Sequence, residues 1–455
     1  MAAKGWAARL GSAKYDLSML FVYVAMDMYL AKRGSLGFVI TQSVFQSDAG
    51  TGFRRFSITS KQHTTPFCPA RVDDMTGFQP FSDASNRTST VVFRRDLAPK
   101  YPVPYAVWSP AHVIQQDMTL AEVLDVMTVE ERAAEPVDQG NPTSRWLIGG
   151  DAAASAVARV LGHSDYRAET GSYTEGANGV YWVEILRKTG KTTVLVRNIV
   201  KGLKRPVPQV TQAIEAGFLR PLLRSGDVRR WRYNIDAYLI FTGKHLGDSI
   251  SETTMKREYP KLYGYFSQFR QPLKARKSFA GKMARAGYPF YAMYGAKSME
   301  SAHKVLWKRM GSSVDAVVVG PTDDTYLHEV VPIPQETLIF VPFEDLKAAH
   351  YLCALLNSRL VSETARRYSL EGSKSFASVH LLENVGIPRF DQKNASHRAL
   401  ARLSAKCHEA ARADNASQVR KCEQEIDLLA ARLWGLSDLE LNSFTDCGGK
   451  PNNKL

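Results

Sequence analysis

The 455-residue sequence is short of several things, and each shortage excludes something. It has no apolar run of about 18 residues and no signal-peptide architecture, so neither a membrane span nor secretion is expected. Leu17 to Leu30 is largely apolar, but Asp27 interrupts it. Five cysteines (Cys68, Cys353, Cys407, Cys422, Cys447) are scattered and lack CxxC spacing. A disulfide framework and a zinc finger are therefore not expected, and the cysteine usage fits a reducing cytoplasm. His63 with Cys68, and Cys407 with His408, lack further ligands at metal-binding spacing. No Ser/His/Asp order and no paired catalytic carboxylates stand out, and Asp323-Asp324 reads as a turn. No internal repeat is present.

Acidic residues are scarce in one place. Residues 201–309 hold 22 Lys/Arg against 7 Asp/Glu, an excess of +15, while the whole chain carries +14. The same segment is laced with Trp, Tyr and Phe. Basic groups neutralise phosphates, and aromatic rings and guanidinium planes pack on sugars and bases. Its portion 218–309 is the stretch expected to hold DNA, against the alternative of an ordinary solvated face. Arg220, Arg224, Arg229, Arg230 and Arg232 flank Trp231. Arg270, Lys274, Arg276 and Lys277 form a second cluster, with Pro272 inside it favouring a turn that opens a helix. Lys308 and Arg309 join the DNA-binding set, with Lys297 and Lys374 as weaker members.

Length predicts two or three domains. Tyr15 to Ala31 has helical periodicity through Leu17, Leu20, Phe21, Val24 and Met28, closed by Lys32-Arg33-Gly34. Leu36 to Thr41 predicts a buried strand, and Val91 to Phe93 another. Tyr101 to Pro110 reads as a proline-punctuated link. Residues 117–135 read as an amphipathic helix. Pro136 to Thr143 is turn-rich and reads as a boundary. Phe340 to Pro342 predicts a strand, followed by a helix over 344–363. Residues 396–434 read as helical and 446–455 as disordered.

Taken in order, these pieces resemble the C-terminal part of adenine-specific DNA methyltransferases of the restriction–modification and phage-defence type. Asp16-Leu17 through Phe21 is similar to the family's Asp/Asn-Leu-x-x-x-Phe helix. Gly34-Ser35-Leu36-Gly37-Phe38-Val39-Ile40 through Phe45 is similar to its Gly-x-x-Gly-Phe-Ile/Val step, with Thr41-Gln42-Ser43 in place of the usual proline. Pro221 to Val228 resembles a Leu-Arg-Gly-x-Asp-Ile signature, and Tyr259-Pro260 through Arg276 a Tyr-Pro…Leu-x-x-Arg stretch. Ala354 to Ser358, Ile387-Pro388 and Trp434-Gly435-Leu436 resemble the family's later landmarks. The resemblance covers roughly 15–440.

The resemblance implies an α/β fold: a partial class I (Rossmann-like) methyltransferase sheet, then an α+β target-recognition domain and a C-terminal helical tail. The implied division is 1–110 for the catalytic portion, 111–145 linker, 146–390 recognition domain and 391–445 tail. It implies S-adenosylmethionine as methyl donor, held only with a missing N-terminal half supplied in cis or trans, and double-stranded DNA as partner. Phe21 falls where the family's aromatic packs on the donor's adenine; its other reading is a core phenylalanine. Phe81, rather than Phe78, is chosen as the ring that stacks on an extruded base, against a loop aromatic plugging an interface. The sequence contains no Asn-Pro-Pro-aromatic motif, since Asn141-Pro142 precedes Thr143, so no catalytic residue is assigned. Asp48 to Gly52 fits the family's Gly-x-Gly-x-Arg-Arg turn better than a donor loop. The rival reading is a non-enzymatic DNA-binding specificity subunit; a methyltransferase acting on RNA or protein is a third.

Overall fold

The computed structural model describes residues 17–443 except 48–49, 60–63, 79–80, 82–87, 113, 115–116, 150–151, 204, 244–247, 296, 312 and 369–376. Asp16, His63, Lys374 and the tail 446–455 lie outside the described residues. The chain divides into two compact units, one of residues 1–161, 363–370 and 436–455, the other of residues 162–362 and 371–435. No helix among the described residues is long and apolar enough to cross a membrane.

The first unit is built on a seven-stranded sheet. Its strands are β1 (Ser35–Thr41), β2 (Ser57–Thr59), β3 (Thr64–Asp74), β4 (Thr88–Arg95), β5 (Val103–Pro110), β6 (Met127–Pro136) and β7 (Trp146–Gly149). The order is β1-β4-β3-β5-β6-β7, with β2 paired to β3. Among these strands β3 and β5 pair in parallel; the other pairings are antiparallel. The sheet is thus mixed rather than a run of parallel strands. Its core is aromatic: Phe45 stacks on Trp146 at 4.6 Å, and Phe53, Phe56, Phe67 and Phe93 pack edge-to-face around them.

The helix Leu17–Val24, extended by a wider turn over Ala25–Tyr29, buries Met19, Val22, Tyr23 and Met26 at helical spacing. Its other face exposes Leu17, Phe21, Met28 and Tyr29. Two expectations change here. Leu36 to Thr41 is a strand, but it forms the sheet's edge and alternates, burying Ile40 and leaving Val39 half exposed. An edge strand packs on one face only, so an apolar run did not mean two-sided burial. Residues 117–135 are not one helix. A capping box of Thr119 and Glu122 opens the helix Leu120–Val126, which stops where Met127 begins β6. The β-branched Thr128 and Val129 favour extension, and β6 pairs with β5 from Pro110↔Met127 to Val103↔Ala134. The proline-punctuated link and the expected linker 111–145 therefore both supply strands to this sheet.

The second unit holds two larger sheets and two short ribbons. Its strands are β8 (Glu169–Thr170), β9 (Trp182–Lys188), β10 (Thr193–Asn198), β11 (Thr211–Glu215), β12 (Leu219–Leu223), β13 (Val228–Arg229), β14 (Arg232–Tyr233), β15 (Ala237–Ile240), β16 (His303–Lys308), β17 (Ala316–Val319), β18 (Thr322–Asp324), β19 (His328–Val330), β20 (Ile333–Pro334) and β21 (Leu338–Phe343). One sheet runs β11-β10-β9-β15-β12-β20 and the other β17-β16-β21-β8; β13–β14 and β18–β19 stand as ribbons. Three short helices, Glu252–Glu258, Pro260–Ser267 and Arg270–Lys274, bury Met255, Leu262, Phe266 and Leu273 in the same core as the six-stranded sheet. The helices Leu346–Leu356, Ala395–Arg412 and Ala416–Leu433 pack together in this unit, so 396–434 is helical as expected, broken only near Asn415.

Candidate nucleic-acid interface

The sequence placed ten DNA-binding residues in the second unit, and the structure sorts them by what they touch. Trp231 is 1% exposed, and its indole N–H donates to Glu423 Oε1 at 2.7 Å. Arg276 is also 1% exposed; its Nε donates to Leu273 O at 3.0 Å and its Nη2 to Phe290 O at 2.8 Å. Neither reaches solvent, so both are corrected from DNA-binding residues to interior braces. Apolar surroundings make it costly to leave such donors unpaired, and backbone carbonyls and a carboxylate satisfy them.

Five further basic residues answer carboxylates. Arg224 is bidentate to Asp227 at 2.8 and 2.9 Å. Asp227 also accepts the Arg224 backbone N–H, which closes the turn between β12 and β13. Arg230 Nε donates to Glu423 Oε1 at 2.5 Å, and its Nη2 donates to Asn357 O. Arg270 donates to Glu252 Oε1 at 2.7 Å and lies 4.0 Å over the Phe290 ring. Lys308 stands 3.8 Å from Asp315. Arg232, beside Trp231, pairs with Asp414 at 2.6 Å. The local charge excess is thus partly answered by acids drawn from the helices Glu252–Glu258 and Ala416–Leu433 and from the turn after Arg412.

The remainder faces water. Arg229 is exposed and donates to Gly226 O and Val228 O. Lys277 and Arg309 are exposed. The surface of Lys277 is wider than the sequence suggested. From 259 to 299 the chain has eight Lys/Arg and no Asp or Glu. Within that stretch Lys274, Lys277, Lys282 and Arg285 are all exposed, and Tyr288 is 45% exposed beside them in sequence. Lys282 and Arg285 escaped sequence reasoning because they stand apart from the Arg270–Lys277 cluster; the acid-free run was the available signal. The buried Leu273, Phe279 and Met283 anchor this segment inward and turn its cations outward.

Arg220 belongs to neither class. It is half-buried on β12, and its Nη1 donates to Gly217 O and Leu219 O at 3.0 and 2.8 Å. Its guanidinium lies 5.5 Å over Phe241, and burial lowers its pKa from the ordinary value. With Glu300, Pro321, Glu329, Val330, Val331 and Ile333 it lines a cavity of about 500 Å³.

Two buried bases lie deeper. Lys304 on β16 is 0% exposed, donates to Ser301 O at 2.8 Å, and burial lowers its pKa to about 7. His408 accepts the Val318 N–H at Nε2 (2.9 Å) and turns Nδ1 toward Ser404 O (2.7 Å), which specifies the neutral Nδ1–H tautomer. Burial depresses the pKa of His408 to about 3, and that of its neighbour His350 to about 4. These groups sustain the packing of the second unit.

In the first unit Phe21 is 56% exposed, so its core reading is set aside. Phe81 is 49% exposed. The Gly50–Arg55 segment is a closed turn. A Cβ on Gly50 would stand 1.9 Å from Val44 O. Arg54, 1% exposed, donates to Val44 O, Ser47 O, Thr143 O and Ser144 O at 2.7 to 3.0 Å. The Arg54 guanidinium thus fills the inside of that turn. No group of three or more His, Cys, Asp or Glu among the described residues could hold a metal ion.

No protein-family model and no curated protein sequence matches the chain. Among solved structures, the Type IIL restriction-modification enzyme MmeI, determined in complex with DNA, aligns with a TM-score of 0.53 at 9% identity, over 94% of this chain and 51% of that one. The type IIG restriction endonuclease BpuSI aligns at 10% identity with a TM-score of 0.33, over 93% of this chain and 50% of that one. The chain spans about half the length of each. The likeness to MmeI is one of fold: this chain has a mixed α/β architecture of several sheets, similar to part of that restriction-modification enzyme.

Proposed function

We propose that the chain is the DNA-binding part of a restriction–modification adenine methyltransferase, gripping duplex DNA through the second unit. The observation that carries this reading is the acid-free stretch 259–299, which presents Lys274, Lys277, Lys282 and Arg285 to solvent with no carboxylate paired to them among the described residues. Unpaired cations on one segment are what counterion release needs. MmeI, whose fold is similar, was determined with DNA bound.

Methyl transfer would come from the whole enzyme. Asn-Pro-Pro-aromatic is missing from this sequence, and the Gly50–Arg55 turn is filled by Arg54, so the residues present do not form a donor site by themselves. Phe21 would supply one ring face toward S-adenosylmethionine and Phe81 a stacking surface for the extruded adenine. The partner half would sit on the edge of β1, which pairs with no further strand among the described residues, beside the exposed Leu17, Phe21, Met28, Tyr29 and Val39. A non-enzymatic specificity subunit is the second reading, favoured by the missing motif alone.

Titration of labelled duplexes at several salt concentrations tests the binding. Log affinity should fall linearly with log salt, by about 0.9 per neutralised phosphate. Salt-independent binding would remove this surface from the account. Labelled methyl transfer by the chain with an N-terminal methyltransferase half added in trans separates the two readings: turnover supports the enzyme part, and binding without turnover supports the specificity subunit.

A further inference from the structure

The cavity beside Arg220 has a lining that selects its ligand by chemistry. Arg220 offers donors, Glu300 and Glu329 offer acceptors, and Pro321, Val330, Val331 and Ile333 form apolar walls. A lone phosphate would meet two carboxylates, and a lone cation would meet the guanidinium. The matching ligand carries an acceptor edge and an amine side by side, on a flat apolar body.

Arg220 is prepared for such a ligand. Its Nη1 end is fixed by Gly217 O and Leu219 O, which leaves the Nε–Nη2 edge without a protein acceptor among the described residues. Burial disfavours its charge and the nearby Glu300 carboxylate offsets part of that, so an acceptor in the cavity would answer the remainder. Glu329 stands on the β18–β19 ribbon, exposed and directly opposite Asp323. Like charges facing across a ribbon cost stability when nothing lies between them and a donor. The ribbon itself is held firmly. Tyr238 donates to Asp324 Oδ2 at 2.8 Å, and Asp324 Oδ1 accepts the N–H groups of Tyr326 and Leu327 at 2.9 Å. The loop 325–327 between β18 and β19 has three residues, and His328, at φ 61°, opens β19 directly after it.

A two-stranded ribbon fits the major groove of duplex DNA. There guanine presents O6 and N7 as paired acceptors, and its cytosine partner presents an N4 amine. We propose that this cleft reads one G·C pair: the Arg220 Nε–Nη2 edge donates to guanine O6 and N7, and Glu329 accepts from cytosine N4. The inference rests on the DNA-binding reading above and adds to it a base pair and the two residues that select it. Glu329 has a second effect. A carboxylate at the groove repels phosphates, so it weakens binding to every sequence that lacks the matching amine.

The test is selection of bound duplexes from a randomised pool by wild type, Arg220→Lys and Glu329→Ala, each shown folded by thermal melting. Arg220→Lys keeps the charge and loses the fork, and Glu329→Ala changes only an exposed ribbon position. Wild type should select a G·C pair at one position. Both variants should relax that same position, on the order of ten- to a hundred-fold in relative affinity, and Glu329→Ala should bind unrelated duplexes more tightly. Unchanged preference in both variants, or relaxation at two different pairs, overturns the assignment. Wild-type binding without any sequence preference also overturns it while leaving DNA binding intact. Failure of wild type to bind duplex at low salt sinks the DNA-binding reading and this one with it.

Discussion

One oxygen of Glu423 accepts from two consecutive residues: Arg230 Nε at 2.5 Å and the Trp231 indole N–H at 2.7 Å. The carboxylate comes from the helix Ala416–Leu433, and Trp231 sits at φ 67° in the tight turn between β13 and β14. The residues with the strongest sequence signature for DNA are thereby committed to holding a helix against a ribbon. Glu423→Ala would leave an indole and a guanidinium without their acceptor. We expect a loss of about 1–3 kcal/mol in stability, read as a lower urea midpoint. An unchanged midpoint would mean that water satisfies both donors.

The exposed cations should behave in the opposite way. Lys277→Ala with Lys282→Ala should leave the urea midpoint unchanged and weaken duplex binding for all sequences. The salt slope should shrink by about 0.9 for each phosphate no longer neutralised. Arg224→Ala should show the converse, since its bidentate bond is to Asp227. Equal effects of both changes on the salt slope would mean that Arg224 exchanges Asp227 for phosphate.

Lys304 gives stability a dependence on alkaline pH. Its folded pKa, about 7, lies below the ordinary 10.5. Between those values the unfolded chain binds the proton and the folded chain does not, so stability rises with pH by up to ~1.4 kcal/mol per unit. Lys304→Met should therefore stabilise the protein at pH 7, and its advantage should narrow toward pH 10. Thermal melts of both proteins across that range provide the measurement; a pH-independent difference would argue against a buried neutral amine.

His408 and His350 act at the acid end. Burial holds both below the ordinary value of 6.5, at about 3 and about 4. As pH falls below 6.5 the unfolded chain takes up these protons first, so stability drops by up to ~1.4 kcal/mol per pH unit for each histidine. Urea midpoints at pH 7, 6 and 5 should fall, and His408→Gln should flatten part of the slope. An identical slope in that variant would place the acid sensitivity elsewhere.

Periodicity and charge, which are properties of neighbours in the chain, were enough to locate much of the architecture. The first helix, Val91 to Phe93 in β4, Phe340 to Pro342 in β21 and a helix from Leu346 form where the pattern placed them. But the first helix buries Met19, Val22 and Met26 and turns the expected Leu17, Phe21 and Met28 outward, and the single helix expected over 344–363 breaks after Leu356. The basic, aromatic segment was legible for the same reason, because composition is local. Three things were decided only by tertiary structure. Residues 127–136 became a strand because β5 offered a ladder along their length, which no window of sequence contains. Leu36 to Thr41 became an edge because strand order is a global property. Most of all, which cations remain available was settled by distant acids: Glu423 lies 193 residues from Arg230, and Asp414 lies 182 from Arg232. Net charge sums what a segment carries, whereas binding depends on what is left after the fold has paired it. That remainder falls on Lys274, Lys277, Lys282 and Arg285, in a stretch where the chain supplies no acid and where the acids the fold brings, such as Glu252 to Arg270 and Glu175 to Ser278, pair with none of these four among the described residues.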